Sequence, residues 1–158
     1  MAHVKTNAMR ILDAKKVTYE MLSYDNKDGK IDGVSVAAKI NRNTQEVYKT
    51  LVTQGASKNI IVFVIPVEAE LDLKKAAKVA GEKKVEMIPV KDIQKWTGYI
   101  RGGCSPIGMK KEYKTILDKS CQLLEYIVVS GGKIGVQIVL RPEQLMEITN
   151  AQIEEITK

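Results

Sequence analysis

The sequence predicts an α+β fold, and three observations carry that expectation. Strand-like and helix-like runs are interspersed rather than strictly alternating. Several strand runs are separated by connections too short for a crossover helix, so their pairs should be antiparallel. The 158 residues, 44% of them hydrophobic and 28% charged, suit one domain spanning 1–158 with its own core, neither a disordered chain nor a disulfide scaffold.

The elements follow in order. Asn7 precedes AMRILDAKK, where Ala8, Met9, Ile11 and Leu12 recur at helical spacing and Lys15 and Lys16 suit the negative end of the dipole, predicting a helix over 7–16. VTYEMLSY (17–24) reads as a strand and DNKDGKIDG as an exposed loop. SVAAKI (35–40) is a short helix; EVYKTLVTQ and KNIIVFVIP form a central hairpin joined at Gly55, Ala56 and Ser57. LDLKKAAKVA (71–80) places Leu73, Ala76, Ala77 and Ala80 on one face and ends at Gly81, a good C-cap. VEMI is a short strand and residues 90–96 a short helix. EYKTILDKS, LEYIVVS and GVQIVL are further strands, the last two linked by a glycine-rich turn, and Pro142 opens a helix over PEQLMEIT at the favoured first position.

Composition narrows the chemistry. The net charge of +6 and pI near 9.2 are compatible with a polyanionic partner. No apolar run approaches the ~20 residues of a spanning helix and no signal-peptide layout opens the chain, so the expectation is a cytoplasmic protein without membrane contact. Cys104 and Cys121 lack CxxC spacing and read as free thiols. His3 is the one histidine and sits in a terminus expected to fray, so Ser-His-Asp and Cys-His machines lack a base. GxxxxGK[ST], HExxH and EF-hand patterns are all missing, and no metal or other cofactor is implied.

Three places retain interest. Lys49, in EVYKTLV, alternates onto the face of Val47 and Leu51. Either that face meets solvent at a sheet edge, or an anionic ligand or carboxylate offsets the desolvation of the ammonium. SGGKIG (130–135) is either a hairpin turn needing positive φ or a place where a ligand approaches backbone amides. YIRGGCSPIG (99–108) is an irregular connection, a ligand cradle or, least readily, a nucleophile loop, since nothing beyond Arg101 is at hand to lower the pKa of Cys104. Trp96 and the few other aromatics suit core or rim positions better than a base-stacking platform.

Taken in order, YDNKDG, VYKTLVTQ, DLKKAAKVAGEKKVEMIP, TGYIRGGCSPIG and YIVVSGGKIGVQIVLRPEQL closely resemble the YbaK/EbsC family of Cys-tRNA(Pro) deacylases, relatives of the editing domain of bacterial prolyl-tRNA synthetase. The resemblance runs from about Val17 to Leu145. It implies an α+β domain on a mixed, barrel-like sheet. The family's lysine falls on Lys49, followed by Thr50; its GxxxP loop falls on Gly102 and Pro106; its early-strand tyrosine on Tyr24; its glycine hairpin on Ser130, Gly131 and Gly132. Some members carry an aspartate where this sequence has Gln137, which bears on the contact to the substrate's α-amine and so on amino-acid specificity.

The resemblance further implies that the substrate supplies the nucleophile: the cysteinyl thiol attacks its own ester, leaving as a thiolactone. Backbone amides at Gly102 and Gly103 are the candidates for holding the carbonyl oxygen, and Lys49 for a fixed cation. Partners implied are the aminoacylated 3′ end of tRNA and prolyl-tRNA synthetase. The alternatives are a deacylase for another mischarged tRNA, such as Ala-tRNA(Pro), and a noncatalytic tRNA- or synthetase-binding module.

Overall fold

The computed structural model describes residues 5–158; His3 lies outside the described residues. Helix α1 (Asn7–Ala14) is capped by Thr6, whose hydroxyl accepts from the Met9 amide at 3.2 Å. Asn7 is the first helical residue, as in the predicted range, and its side-chain amide donates to the Gly108 carbonyl. Strand β1 (Glu20–Ser23) is shorter than the run 17–24, because the chain leaves α1 through a left-handed Lys16. Helix α2 (Gly33–Lys39) begins two residues earlier than expected, since Asp32 caps it by accepting from the Ser35 amide.

The central hairpin is β2 (Tyr48–Gly55) against β3 (Ile60–Pro66), paired from Tyr48 with Pro66 to Gln54 with Ile60. Helix α3 (Leu73–Ala80) ends at Gly81 with φ +72°, as the glycine suggests. Strand β4 (Val85–Met87), a 3₁₀ turn (Val90–Asp92) and helix α4 (Ile93–Thr97) lead into the 99–108 loop. Strand β5 (Lys114–Asp118) stops where Asp118 caps a 3₁₀ turn (Lys119–Leu123). Strands β6 (Ile127–Lys133) and β7 (Val136–Leu140), helix α5 (Pro142–Thr149) and a short β8 (Gln152–Glu154) complete the described chain.

Two sheets result. One is antiparallel, ordered β1-β7-β6; the other is mixed, ordered β4-β2-β3-β5-β8, with β3/β5 and β5/β8 parallel. The α+β class with a mixed sheet is what the sequence predicts, whereas the parallel pairs depart from the antiparallel expectation. The segment between β3 and β5 is long enough to carry α3 and α4, so a parallel crossover is available to it. The sheets meet where Val47 bridges Val128 and the Val128 amide donates to the Glu46 carbonyl at 2.9 Å. Between them lies a core that includes Leu12, Val62, Val64, Leu117, Ile138 and Leu145. A second apolar cluster, with Phe63, Ile65 and Ile116, seats α3 through Ala76, Ala77 and Ala80.

One buried polar network ties these layers together. The Asp118 carboxylate accepts from the Ser120 amide and hydroxyl at 3.2 and 2.6 Å and from the Ile156 amide at 3.2 Å. The Ser120 hydroxyl in turn lies 2.6 Å from Tyr48 Oη. Burial pushes the Tyr48 phenol up to about 12, so it stays protonated and keeps its side of that hydrogen bond. Among the described residues no helix is long and apolar enough to cross a membrane.

Candidate active site

Lys49 is where the two sheets part. It sits near the start of β2, paired with Ile65, two residues beyond the Val47 bridge to β6. The divergence of β2 from β6 opens a cleft of about 120 Å³ lined by Lys49, Thr50, Ser130, Gln137, Gly102 and Cys104 at its polar parts. Ile31, Val36, Val47 and Val67 supply its apolar walls. That volume is far below the ~300–1,000 Å³ typical of sites for drug-sized ligands, so the cleft suits a small group.

The floor is unusually rich in polar groups without partners. Lys49 is half-buried and makes no hydrogen bond or ion pair among the described residues. Burial lowers its pKa below the usual lysine value, and the negative charge of Glu70 partly offsets that. Thr50 Oγ1 is buried with no hydrogen-bond partner. Gln137 is only 6% exposed, and its side-chain amide finds no partner among the described residues. Buried polar groups are ordinarily satisfied within the protein. A half-buried cation without a partner among the described residues, on a cleft that Thr50 and Gln137 also line, marks a place for a ligand with both negative charge and hydrogen-bonding capacity.

Backbone geometry assembles this site from three distant segments. Ser130 on β6 faces Gln137 on β7 as a cross-strand pair, so both reach the cleft together. Gly102 has φ +86°, and a Cβ there would come within 2.7 Å of Ile31 Cδ1. Only glycine lets the 99–108 loop turn and close against Ile31. Gly33, at the start of α2, lies so close to Val67 that any side chain would displace it. The 25–32 loop that presents Ile31 is held by Lys39, whose ammonium donates to the carbonyls of Asp25 and Lys30 and to the Asp28 carboxylate at 2.7, 3.0 and 2.7 Å.

Several of the sequence-derived candidates stand elsewhere. The Gly103 amide donates to the Ile100 carbonyl at 3.0 Å, which leaves it no hydrogen for a ligand. Gly103 instead lets the loop press on the backbone of Lys133 and Ile134. Pro106 is buried and lines a separate depression with Ile11, Gly108 and Tyr113. Tyr24 is not part of the cleft wall, yet its hydroxyl is a second buried, unpartnered oxygen, and the ring lies 5.8 Å from the Lys39 ammonium. Gly131 and Gly132 are not the hairpin turn: they form an irregularity within β6, where the Gly131 carbonyl accepts from Thr6 and Gly132, at φ +96°, abuts Tyr99. The turn itself is at Ile134 and Gly135.

Cys104 lines the cleft, but burial pushes its thiol up to about 11. It is protonated at neutral pH, so it is a poor nucleophile. Ile31, Val36 and Val67 were missed from sequence. Of these, Val67 had the clearest signal, following the apolar run of β3.

The match to known families now decides the assignment. The model of the aminoacyl-tRNA editing domain matches residues 31–148, which include Lys49, Thr50, Gly102, Ser130 and Gln137. The chain belongs to the aminoacyl-tRNA editing domain family. Within it, this editing domain is 48% identical over 153 residues to an Enterococcus faecalis protein provisionally named Cys-tRNA(Pro)/Cys-tRNA(Cys) deacylase EbsC, covering 97% of this chain and 93% of that one. It is 25% identical over 117 residues, 74% of each chain, to the uncharacterized Bacillus subtilis protein YwhH. Among solved structures, the editing domain matches hypothetical protein APE2540 with TM-score 0.88 and 20% identity, over 97% of this chain and 100% of that one. A structure provisionally described as a trans-editing enzyme for prolyl tRNA synthetase matches with TM-score 0.84 and 19% identity, over 99% of both chains. These structural likenesses bear on the fold. The identity to EbsC bears on the family branch that the sequence motifs indicate. Tyr24 lies before the segment that the family model covers.

Proposed function

We propose that the protein is a cytoplasmic deacylase that edits cysteine-mischarged tRNA(Pro), with the substrate's own thiol as nucleophile. The observation that carries this reading is the Lys49 ammonium, without an ion pair or hydrogen bond among the described residues, in a cleft sized for a small aminoacyl group that Thr50, whose hydroxyl is buried and unpartnered, and Gln137 also line. The name of the EbsC relative supports cysteine as the amino acid and tRNA(Pro) as its adaptor, and the description of the trans-editing structure names prolyl tRNA synthetase, the proposed partner.

Among the described residues the cleft offers no histidine, and its one thiol is protonated, so nothing among them readily activates water. A cysteinyl ester removes that need. Its sulfur attacks the ester carbonyl, the S–C bond forms, the C–O bond to the tRNA breaks, and the thiol proton ends on the released 3′-oxygen. The product is a cyclic thiolactone. The protein's part is to hold sulfur and carbonyl in attack geometry and to stabilise the oxyanion with a charge already in place. Lys49 supplies that charge. The Gly102 amide, which has no partner among the described residues, is the backbone donor. Thr50 and the Ser130–Gln137 pair orient the amine and side chain, with Gln137 accepting from the α-ammonium as a neutral group.

The reading is tested by incubating the purified protein with Cys-, Ala- and Ser-tRNA(Pro). Cysteinyl substrate is released fastest, with thiolactone as the product; preferential release of alanine, with no thiolactone from cysteine, overturns it. Salt-sensitive tRNA binding with no ester cleavage favours a binding module instead.

Two variants sharpen the chemistry. Cys104→Ser keeps deacylation within about tenfold of wild type, because no covalent enzyme intermediate involves it; complete loss in a folded variant refutes substrate-thiol attack. Glu70→Gln moves the alkaline limb of the kcat/KM profile to lower pH. Activity needs the protonated lysine, so it falls as pH rises through the Lys49 pKa. Removing the carboxylate that raises this pKa brings that fall earlier. An unmoved limb means that Lys49 is not the group whose charge is required.

A further inference from the structure

Three loops meet at the mouth of the cleft. A Cβ on Gly102 would touch Ile31 Cδ1 at 2.7 Å and Ile134 Cγ1 at 3.4 Å, so the 99–108 loop sits between the 25–32 loop and the β6–β7 turn. On the far side of that turn, Gly135 lies against the Tyr24 carbonyl, and the Tyr24 amide donates to the Gly135 carbonyl at 3.0 Å. The three loops therefore form one continuous rim.

That rim carries Lys27, Lys30, Arg101 and Lys133, all exposed, and none of their side chains makes an ion pair or hydrogen bond among the described residues. The carboxylates on the same loops are occupied. Asp25 accepts from the Lys27 amide, Asp28 from the Lys30 amide and the Lys39 ammonium, and Asp32 caps α2. Two of the large apolar side chains left exposed, Val34 at 47% and Ile100 at 49%, respectively follow the mouth residue Gly33 and precede the rim residue Arg101 in the chain. Exposed cations without an ion pair or hydrogen bond among the described residues, gathered around one mouth, suit a flexible strand of nucleotides whose phosphates take the charge. The other dense basic stretch, around α3, also carries exposed cations, Lys74 and Lys78 among them, but Lys75 is committed to the Thr157 carbonyl and Lys84 to Glu86 at 3.1 Å, and none of these lysines lines the cleft that holds Lys49.

We propose that this three-loop rim, through Lys30, Arg101, Lys133 and Lys27, is the phosphate-binding surface that receives the single-stranded 3′ end of the substrate RNA. The proposal rests on the editing reading given above and adds to it the direction from which the polynucleotide enters. Lys49, at the floor, is then left for the ester, and the rim cations neutralise the backbone.

The test compares Arg101→Gln/Lys133→Gln with the control Lys74→Gln/Lys78→Gln, two exposed cations of α3. The substrates are a cysteine-charged acceptor-stem RNA hairpin ending in CCA and the phosphate-free 3′-cysteinyl adenosine. The rim variant raises KM for the hairpin about tenfold near physiological salt, and flattens its log K against log salt by about 1.4, as expected for two lost single-strand phosphate contacts. Its defect is smaller on cysteinyl adenosine than on the hairpin, and the control matches wild type throughout. Wild-type cleavage of the hairpin, with rim and control variants alike in KM and salt slope, overturns the rim alone. A wild-type protein that leaves both substrates intact overturns the editing reading and the rim with it.

Discussion

Lys49→Ala lowers kcat for deacylation of Cys-tRNA(Pro) by about 100-fold, ~2.7 kcal/mol of transition-state stabilisation, while the protein remains folded. The size follows from where the charge sits. An exposed lysine is a screened point charge of small consequence. Lys49 is half-buried in a narrow cleft, with no ion pair of its own, so its field is spent on whatever occupies that cleft. Because the ammonium is unpaired before substrate arrives, removing it leaves no buried carboxylate uncompensated, and the burial that lowers its pKa disappears with it. Stability is thus unchanged or slightly raised, whereas turnover collapses. The measurement is single-turnover release of the amino acid, alongside a denaturant melt. Turnover within threefold of wild type refutes the role of Lys49. Lys49→Arg is no conservative rescue, because a planar fork replaces a compact ammonium in a cleft of about 120 Å³.

This site was legible in the sequence where alternation reports on burial, and illegible where loops converge. Lys49 stands out because Val47 and Leu51 flank it on one face of a strand otherwise rich in apolar residues. Gln137 and Ser130 were legible only through the family resemblance, and the register of β6 with β7 is what sets them opposite each other. The contribution of Ile31 is invisible from sequence: it comes from a polar loop whose course is set by the Lys39 clamp, a contact between residues up to 14 apart. Glycines mislead in a different way. The run 130–135 signals a turn, and the chain does turn within it, at Gly135, but Gly131 and Gly132 are used inside β6, where Thr6 and Tyr99 approach. Gly102 and Gly103 look equivalent, yet one faces the cleft and the other closes a tight turn on Ile100. Parallel pairing of β5 with β3 and β8 had no local signal, because a short polar strand such as QIE is specified by its neighbours.

The network that anchors the strand bearing Lys49 carries the largest expected effect on stability. Asp118→Ala destabilises the protein by about 3 kcal/mol, lowering Tm by roughly 6–12 °C. Its carboxylate, 4% exposed, serves three donors: the amides of Ser120 and Ile156 and the Ser120 hydroxyl. Alanine strands the Ile156 amide, on a residue with no exposed surface, and removes the cap of the Lys119–Leu123 turn. Tyr48→Phe costs only about 1 kcal/mol, because Ser120 still donates to Asp118 and one neutral hydrogen bond is lost. Urea melts of the two variants separate these cases, and equal midpoints for Asp118→Ala and Tyr48→Phe refute the hierarchy. The consequence for the cleft follows from the chain itself. The Tyr48 hydroxyl is tied to Ser120, and Lys49, the next residue, lines the cleft. Fixing the one fixes the other, so the Asp118 network holds the cation in place without touching substrate. Asp118→Asn, which keeps one oxygen as an acceptor, should accordingly recover more stability than Asp118→Ala, and recover turnover in step with it.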